Sequence, residues 1–505
     1  MDTHLCFQSS LQANIDNLRS HLNGSDDLVV REFRIGDKGI PRKIAILYFD
    51  GLTEEKSIHQ FVMEPLMHHA EPQGGGNESD EASLLDRLKN SVLTVGQIHK
   101  VDSLATASES LMGGSVVVIP DGYAEGFHIS LAGWEQRAVT EPTSQTVIRG
   151  PKEAFTENIR VNTALIRRII KDPRLVLKSR KIGQVTKTNV SVMYIVGIVE
   201  EKALDEVNRR LGSIDTDAIL ESGYIEEFIQ DETYTIFPTL QNTERPDVVA
   251  ASLLEGRIAI LIDGTPHVLL APALFVQYFQ AAEDYYHRAD ISTLIRVLRY
   301  FALFIATLVP ALYVAITTYH QEMLPTQLLI SLSAQREGVP FPAFVEALIM
   351  EATYEILREA GVRMPRAVGQ AVSIVGTLVI GQAAVDAGII SASMIIVVSI
   401  TAISSYVIPE FDMSIAVRIT RFIFMGLAAA FGLYGIFIGL IALILHLSSL
   451  RSFGVPYMAP VGPFSLKDQK DVILRANRRN MKTRPTMFGK RDPVRQRRTR
   501  NRGRP

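Results

Sequence analysis

The hydrophobic pattern changes character near residue 300. From there to residue 450, four runs carry no charged side chain: Tyr300 to Tyr319, Ala367 to Val385, Ala387 to Pro409 and Phe422 to Leu445. Each is close to the roughly 20 residues a helix needs to cross a hydrocarbon core about 30 Å thick. A helix in a soluble core seldom runs that far without charge, because one face must meet water. The pattern therefore predicts an all-α membrane domain over 300–450, with spans at about 300–319, 367–385, 387–409 and 422–447. Between the first two runs, residues 324–357 are too charged for lipid and too apolar for a plain loop. Ala343 to Ile356 is expected to form a helix bearing Glu346, Glu351 and Glu355. It would lie against other protein or a wet cavity, as a re-entrant element or extra spans.

Upstream, the apolar spacing is short and mixed. Leu11, Ile15, Leu18 and Leu22 share a helix face, so residues 10–23 read as an amphipathic helix ending at Asn23-Gly24. LVVREFRIG and KIAILYFDG read as strands, and Glu54 to Met67 as a helix. Residues 71–81, rich in Gly and acids, read as a flexible loop. A strand at Val92–His99, a helix at Leu104–Met112 and a hairpin turning at Asp121-Gly122 follow. A second subdomain begins at Arg149, with a helix whose apolar face runs through Phe155, Ile159, Leu165 and Ile169, while Arg160, Arg167 and Arg168 lie on its polar side. RIAILIDGTPHVLLAP reads as a hairpin around Asp263-Gly264. The expected architecture is a two-part α/β (α+β) domain over 1–148 and 149–272, an interfacial linker helix over 273–299, the membrane domain, and a disordered basic tail over 451–505. Tyr285, Tyr286 and Tyr300 are expected at headgroup depth.

Charge sharpens this division. The formal net charge is -2 over 505 residues, yet Lys467 to Pro505 holds 15 Lys and Arg against 3 Asp and Glu. Such a tail suits an anionic membrane surface; without interleaved aromatics it does not suit nucleic acid. One cysteine, Cys6, excludes an internal disulfide and a cysteine-based zinc site. The polar first 20 residues carry no signal-peptide core, so the region before the first span is expected to stay in the cytoplasm. Basic residues before the first run and after the last put both termini on the cytoplasmic side and ask for an even number of crossings. Four spans plus a re-entrant element is the preferred count; the alternative is six, with Leu324–Ile356 crossing and Phe422–Leu450 folded into two parts.

No phosphate loop, HExxH or GxSxG motif is present, so no enzyme and no cofactor or metal are expected. The membrane region offers other features. Gly369, Gly376 and Ala383 recur every seven residues, with Ser373 and Gly381 nearby. This stripe permits close helix packing or lines a narrow pore. Asp386 at the end of that run, together with Glu346, Glu351 and Glu355, would draw cations. Gly432, Gly435 and Gly439 suit helix packing, and the hydroxyls of Ser391 to Ser405 bond back to their own helix or border a wet path.

The sequence resembles the A subunit of the GerA family of spore germinant receptors. The resemblance rests on RGPKEAFTENIRVNTALIRRII, YTIFPTLQNTERPDVVAASLLEGRIAILIDGTPHVLLAP, PALYVAITTYHQEMLPTQLL, EALIMEATYEILREAGVRMP, SIVGTLVIGQAAVDAGIISASMIIVVSITAIS and LRSFGVPYMAPVGP, in order between residues 149 and 463. It implies a protein of the spore inner membrane that works with a transporter-like B subunit and a lipoprotein C subunit. It also implies assembly into a ring, a pentamer, that conducts monovalent cations when a nutrient germinant binds. Two alternatives stay open: an accessory germination channel of the stage V sporulation type, and a non-conducting scaffold for the B and C subunits.

Overall fold

The computed structural model describes residues 6–35, 42–68, 98–131, 133, 142, 145–364, 379, 381–489 and 491–496. The 71–81 loop and most of the 367–385 run lie outside the described residues. The chain divides into two compact units. One comprises Met1–Gln230, Leu240–Pro272 and Lys482–Pro505; the other comprises Asp231–Thr239 and Ala273–Met481.

Among the described residues, the first unit is mixed α/β with two five-stranded sheets. Strands β1 (Leu28–Ile35), β2 (Arg42–Phe49), β3 (Ile98–Val101), β4 (Ser115–Pro120) and β5 (Gly126–Ser130) lie in the order β1-β2-β4-β5-β3, with antiparallel neighbours. Alternation along β2 and β4 gives each face its own core. Ala45, Leu47, Val117 and Ile119 pack under helix α1 (Leu11–His21) and helix α2 (Leu104–Met112). Ile44, Ile46, Val116 and Val118 pack under Ile58, Val62 and Leu66 of the helical stretch that follows β2.

The second sheet repeats the plan. Strands β6 (Leu175–Ile182), β7 (Thr188–Ile195), β8 (Gln241–Thr243), β9 (Ile258–Ile262) and β10 (Val268–Ala271) run β6-β7-β9-β10-β8. Helices α3 (Ile159–Ile169) and α6 (Pro246–Glu255) cover one face through Ile166, Val249 and Leu253. Helices α4 (Glu201–Gly212) and α5 (Ser222–Ile229) lie between β7 and β8 in sequence. Proline at the first turn of α6 and left-handed Gly256 just past its end are the expected start and stop signals.

The face expected for α3 needs correction. Ile169 is half exposed, and Arg167 is buried. Arg167 pairs through two nitrogens with Asp27, donates to Ser25 Oγ at 2.9 Å and lies 4.3 Å over the Phe49 ring. The same Ser25–Asp27 turn joins the edge strand β6, where Asp26 N donates to Leu177 O at 3.0 Å. A partner 140 residues away thus reverses the side of the helix on which an arginine belongs.

The second unit is helical. Helix α7 (Ala289–Tyr319) and helix α12 (Phe411–Ser449) are long and apolar enough to cross a membrane by length and composition. Between them lie α8 (Thr326–Arg336), α9 (Ala343–Arg363), α10 (Gly381–Asp386) and α11 (Ala392–Tyr406). Three expectations are corrected here. No separate linker helix fills 273–299; a 3-10 turn at Phe275–Phe279 and a short helix at Glu283–Tyr286 precede α7, because Asp284 folds back onto two arginines of α7. The 422–447 run is not one straight span: Gly432 sits at φ 61, ψ -142, and the helix doubles back there. The 387–409 run is helical only over Ala392–Tyr406, short of the roughly 20 residues of a full crossing.

The basic tail is also more ordered than expected among the described residues. Arg451–Ser452 and Val455–Pro456 form a small hairpin, and Tyr457, Val472, Met481 and Phe488 are buried. Apolar anchors spaced along the tail supply the burial that its charge alone conceals.

Candidate functional site

The buried charges of the helical unit form the candidate site. Helix α9 carries the three acids expected from the sequence. Glu346 and Glu351 are fully buried, and Glu355 is partly so. They do not stand as free negative charges. Glu351 Oε2 lies 3.1 Å from Arg421 Nη2, which also meets Glu355 Oε1 at 3.1 Å; Arg418 Nη1 donates to Glu355 Oε2 at 2.5 Å. Both arginines come from the first half of α12. Glu346 accepts from Ser391 N at 2.6 Å and from Ser391 Oγ, while Arg336 of α8 lies 3.9 Å from its second oxygen.

This cluster is incompletely satisfied. Among the described residues, both Glu351 oxygens, the second Glu346 oxygen, and Nε and Nη1 of Arg421 have no hydrogen-bond partner. A buried ion pair held by a single nitrogen offsets little of its desolvation. A fully satisfied buried network is rigid, whereas each unpaired atom here carries its own desolvation cost.

A second feature is the fold at Gly432. A Cβ there would stand 2.7 Å from His320 Cε1 and 3.1 Å from Tyr319 Cβ, both at the end of α7. Tyr319 donates to Ala429 O at 2.8 Å and so caps a carbonyl freed where the helix breaks. Gly435 and Gly439 allow the returning half to approach Leu427 and Phe424. Glycine spacing that reads as helix packing is therefore packing of α12 against itself.

The start of α7 carries a third group of charges. Asp284 accepts from Arg296 Nε at 2.7 Å and from Arg299 Nη1 at 2.8 Å. Asp471 adds a bond from Arg296 Nη1 at 2.7 Å and one from the Tyr285 hydroxyl at 2.8 Å. Tyr285, expected at headgroup depth, is thus held by the tail.

The remaining sequence candidates are scattered. Gly369, Ser373 and Gly376 lie outside the described residues. Gly381 is buried 3.7 Å from Ile395 by its would-be Cβ, Ala383 is exposed, and Asp386 is exposed and accepts from Gln382 Nε2 at 2.9 Å. In α11, Thr401 and Ser405 bond back to their own helix, and Ser393 meets the Tyr313 hydroxyl at 2.9 Å. Sequence reasoning missed Arg336, Arg418 and Arg421 as partners of the acids. The available signal was charge balance: three acids within one apolar helix and arginines flanking other apolar runs.

Among the described residues no group of His, Cys, Asp and Glu is arranged to hold a metal. The acids of α9 and the arginines of α12 form a buried cluster of opposite charges within the helical unit.

Comparison with known proteins fits this arrangement. The profile of the family described as "Bacillus/Clostridium GerA spore germination protein" matches residues 16–487. The chain is 49% identical over 487 residues to "Spore germination protein KA" of Bacillus subtilis (strain 168), covering 96% of this chain and 88% of that protein. It is 38% identical over 475 residues to "Spore germination protein GerLA" of Bacillus cereus, covering 94% of this chain and 95% of that protein. "Stage V sporulation protein AF" of Bacillus subtilis (strain 168) is 31% identical over 479 residues, covering 95% and 94% respectively. Among solved structures, the N-terminal domain of the A subunit of the Bacillus megaterium spore germinant receptor GerK3 is 40% identical, with a TM-score of 0.43, covering 54% of this chain and 98% of that one. With a profile match running almost from end to end, the chain belongs to the GerA spore germination protein family.

Proposed function

We propose that this chain is the A subunit of a nutrient-germinant receptor, acting as an oligomeric channel that releases monovalent cations across the spore inner membrane when germinant arrives. The observation that carries the proposal is the family match over residues 16–487, with greater identity to the germination protein KA than to the stage V protein. In this reading the region 300–450 is the multi-span membrane domain. A transporter-like B subunit and a lipoprotein C subunit are its partners, and a ring of five copies surrounds the conducting path. Gly369, Ser373, Gly376, Gly381, Ala383 and Asp386 line or pack beside that path. Glu346, Glu351 and Glu355 bias it toward cations once the arginines now beside them turn away. Residues 482–496 belong to the same compact unit as Met1–Gln230 and Leu240–Pro272, which supports placing both termini on one side of the membrane.

The test is cation flux. Potassium efflux is followed in spores whose copy of this subunit is wild type or Gly376→Leu, and the mass of the detergent-purified particle is measured alongside. Loss of nutrient-triggered efflux, with a particle of about five copies, is the expected result. Normal efflux from Gly376→Leu spores removes the stripe from the path. The scaffold reading has one observation in its favour, the pairing of Glu351 and Glu355 with arginine. Asp386→Asn separates the two: a channel changes its flux, whereas a scaffold germinates unchanged.

A further inference from the structure

Residues 482–489 and 491–496 of the tail lie against the second subdomain. The segment folds on itself: Arg484 N donates to Pro493 O at 2.9 Å, and Arg495 N donates to Lys482 O at 2.8 Å. Its apolar anchor, Phe488, is 2% exposed. Its arginines meet the α/β unit one by one. Arg484 Nε donates to Leu254 O at 2.8 Å, at the C-terminal end of α6 where the helix dipole favours a cation. Arg495 Nη2 lies 2.6 Å from Glu255 Oε1, and Arg491 pairs with Glu201 at the start of α4.

Gly256 completes the receiving surface. Its φ of +100° is the left-handed cap of α6, and a Cβ there would stand 2.9 Å from Phe488 O. The backbone of the tail therefore passes where a side chain would otherwise be. A glycine that both ends the helix and admits a second strand of backbone is a fitted contact.

We propose that residues 482–496 are an intramolecular strap, docked on the α4 and α6 ends of the second subdomain, and that their arginines are engaged there in preference to an anionic membrane surface. The chain leaves the α/β unit at Pro272 and rejoins it at Lys482, so the strap ties the returning segment back to its own unit. The docking contacts stand whether or not the helical region conducts ions.

Hydrogen exchange of the full chain in nanodiscs of neutral phosphatidylcholine tests the strap. The peptide covering 482–496 is expected to exchange about tenfold or more slowly than an unstructured peptide of the same sequence. Phe488→Ala, and separately the double variant Glu201→Gln/Glu255→Gln, should each return it to free exchange while β9 stays protected. Free exchange in the wild-type chain overturns the strap. So does protection that arises only when anionic phosphatidylglycerol is added and is indifferent to the two glutamates, since the arginines then serve the membrane.

Discussion

Arg167 in the α/β unit and Arg421 in the helical unit are both buried arginines beside carboxylates, yet they are held differently. Arg167 gives two nitrogens to Asp27, donates to Ser25 and covers Phe49. Arg421 shares one nitrogen between Glu351 and Glu355 and lies 5.8 Å from the Phe422 ring, while its Nε and Nη1 find no hydrogen-bond partner among the described residues. A saturated guanidinium fixes one arrangement, because every alternative breaks several bonds at once. An unsaturated one has fewer bonds to break on leaving and an uncompensated desolvation cost while it stays. The first is what a rigid joint between two sheets requires. The second is compatible with the gating that the proposed channel function asks of the helical unit.

The largest effect is expected where the saturated pair is broken. Arg167→Ala leaves Asp27 charged and buried, and should lower stability by about 3–5 kcal/mol. Thermal unfolding of the purified chain measures it, and a loss below about 1 kcal/mol would mean that the joint is not held by this pair. Replacing the unsaturated pair tells the other half. Arg421→Met alone should cost about 3 kcal/mol, whereas Arg421→Met with Glu351→Met should be neutral or stabilising by about 1–4 kcal/mol. If the cluster must rearrange for function, the double variant folds but fails to release potassium. Retained release would assign the pair to structure only.

Smaller effects sharpen the same contrast. Gly432→Ala places a Cβ against His320 at a backbone geometry natural only to glycine, and should cost about 1–3 kcal/mol. Gly197→Ala, also at positive φ but with open space around it, should cost less, and a reversed order would mean that α12 is not folded at Gly432. The smallest effect is a pH dependence in the first sheet. Burial and the stacked neighbour His99, 5.0 Å away, hold the His128 imidazole below its ordinary value of 6.5. The folded state then binds fewer protons than the unfolded one. Stability from this group is present above pH 6.5 and falls as the pH drops through that value. Urea unfolding at acidic and neutral pH, with His128→Gln as control, should show the decline only when His128 is present.

Much of the α/β unit was legible in the sequence because its signals are local. Short apolar runs closed by turn residues marked β2 and β4, and Asp263-Gly264 marked the turn between β9 and β10. The helical unit was legible as apolar runs but not as elements. Composition does not distinguish a 26-residue span over 422–447 from two shorter helices folded at Gly432, since glycine serves packing and turning equally. The acids on α9 were visible as candidates, but their meaning depended on arginines more than 60 residues away.

The sequence by itself determined where apolar segments lie, where chains turn, how charge is distributed and which family the chain resembles. These follow from properties of neighbouring residues, and neighbouring residues are what a sequence displays. Only the tertiary structure decided that Arg167 joins two sheets, that Arg418 and Arg421 neutralise Glu355 and Glu351, and that the tail returns to Gly256. Each of these is a pairing between distant residues, and its energy depends on burial and geometry that exist only after the chain has folded.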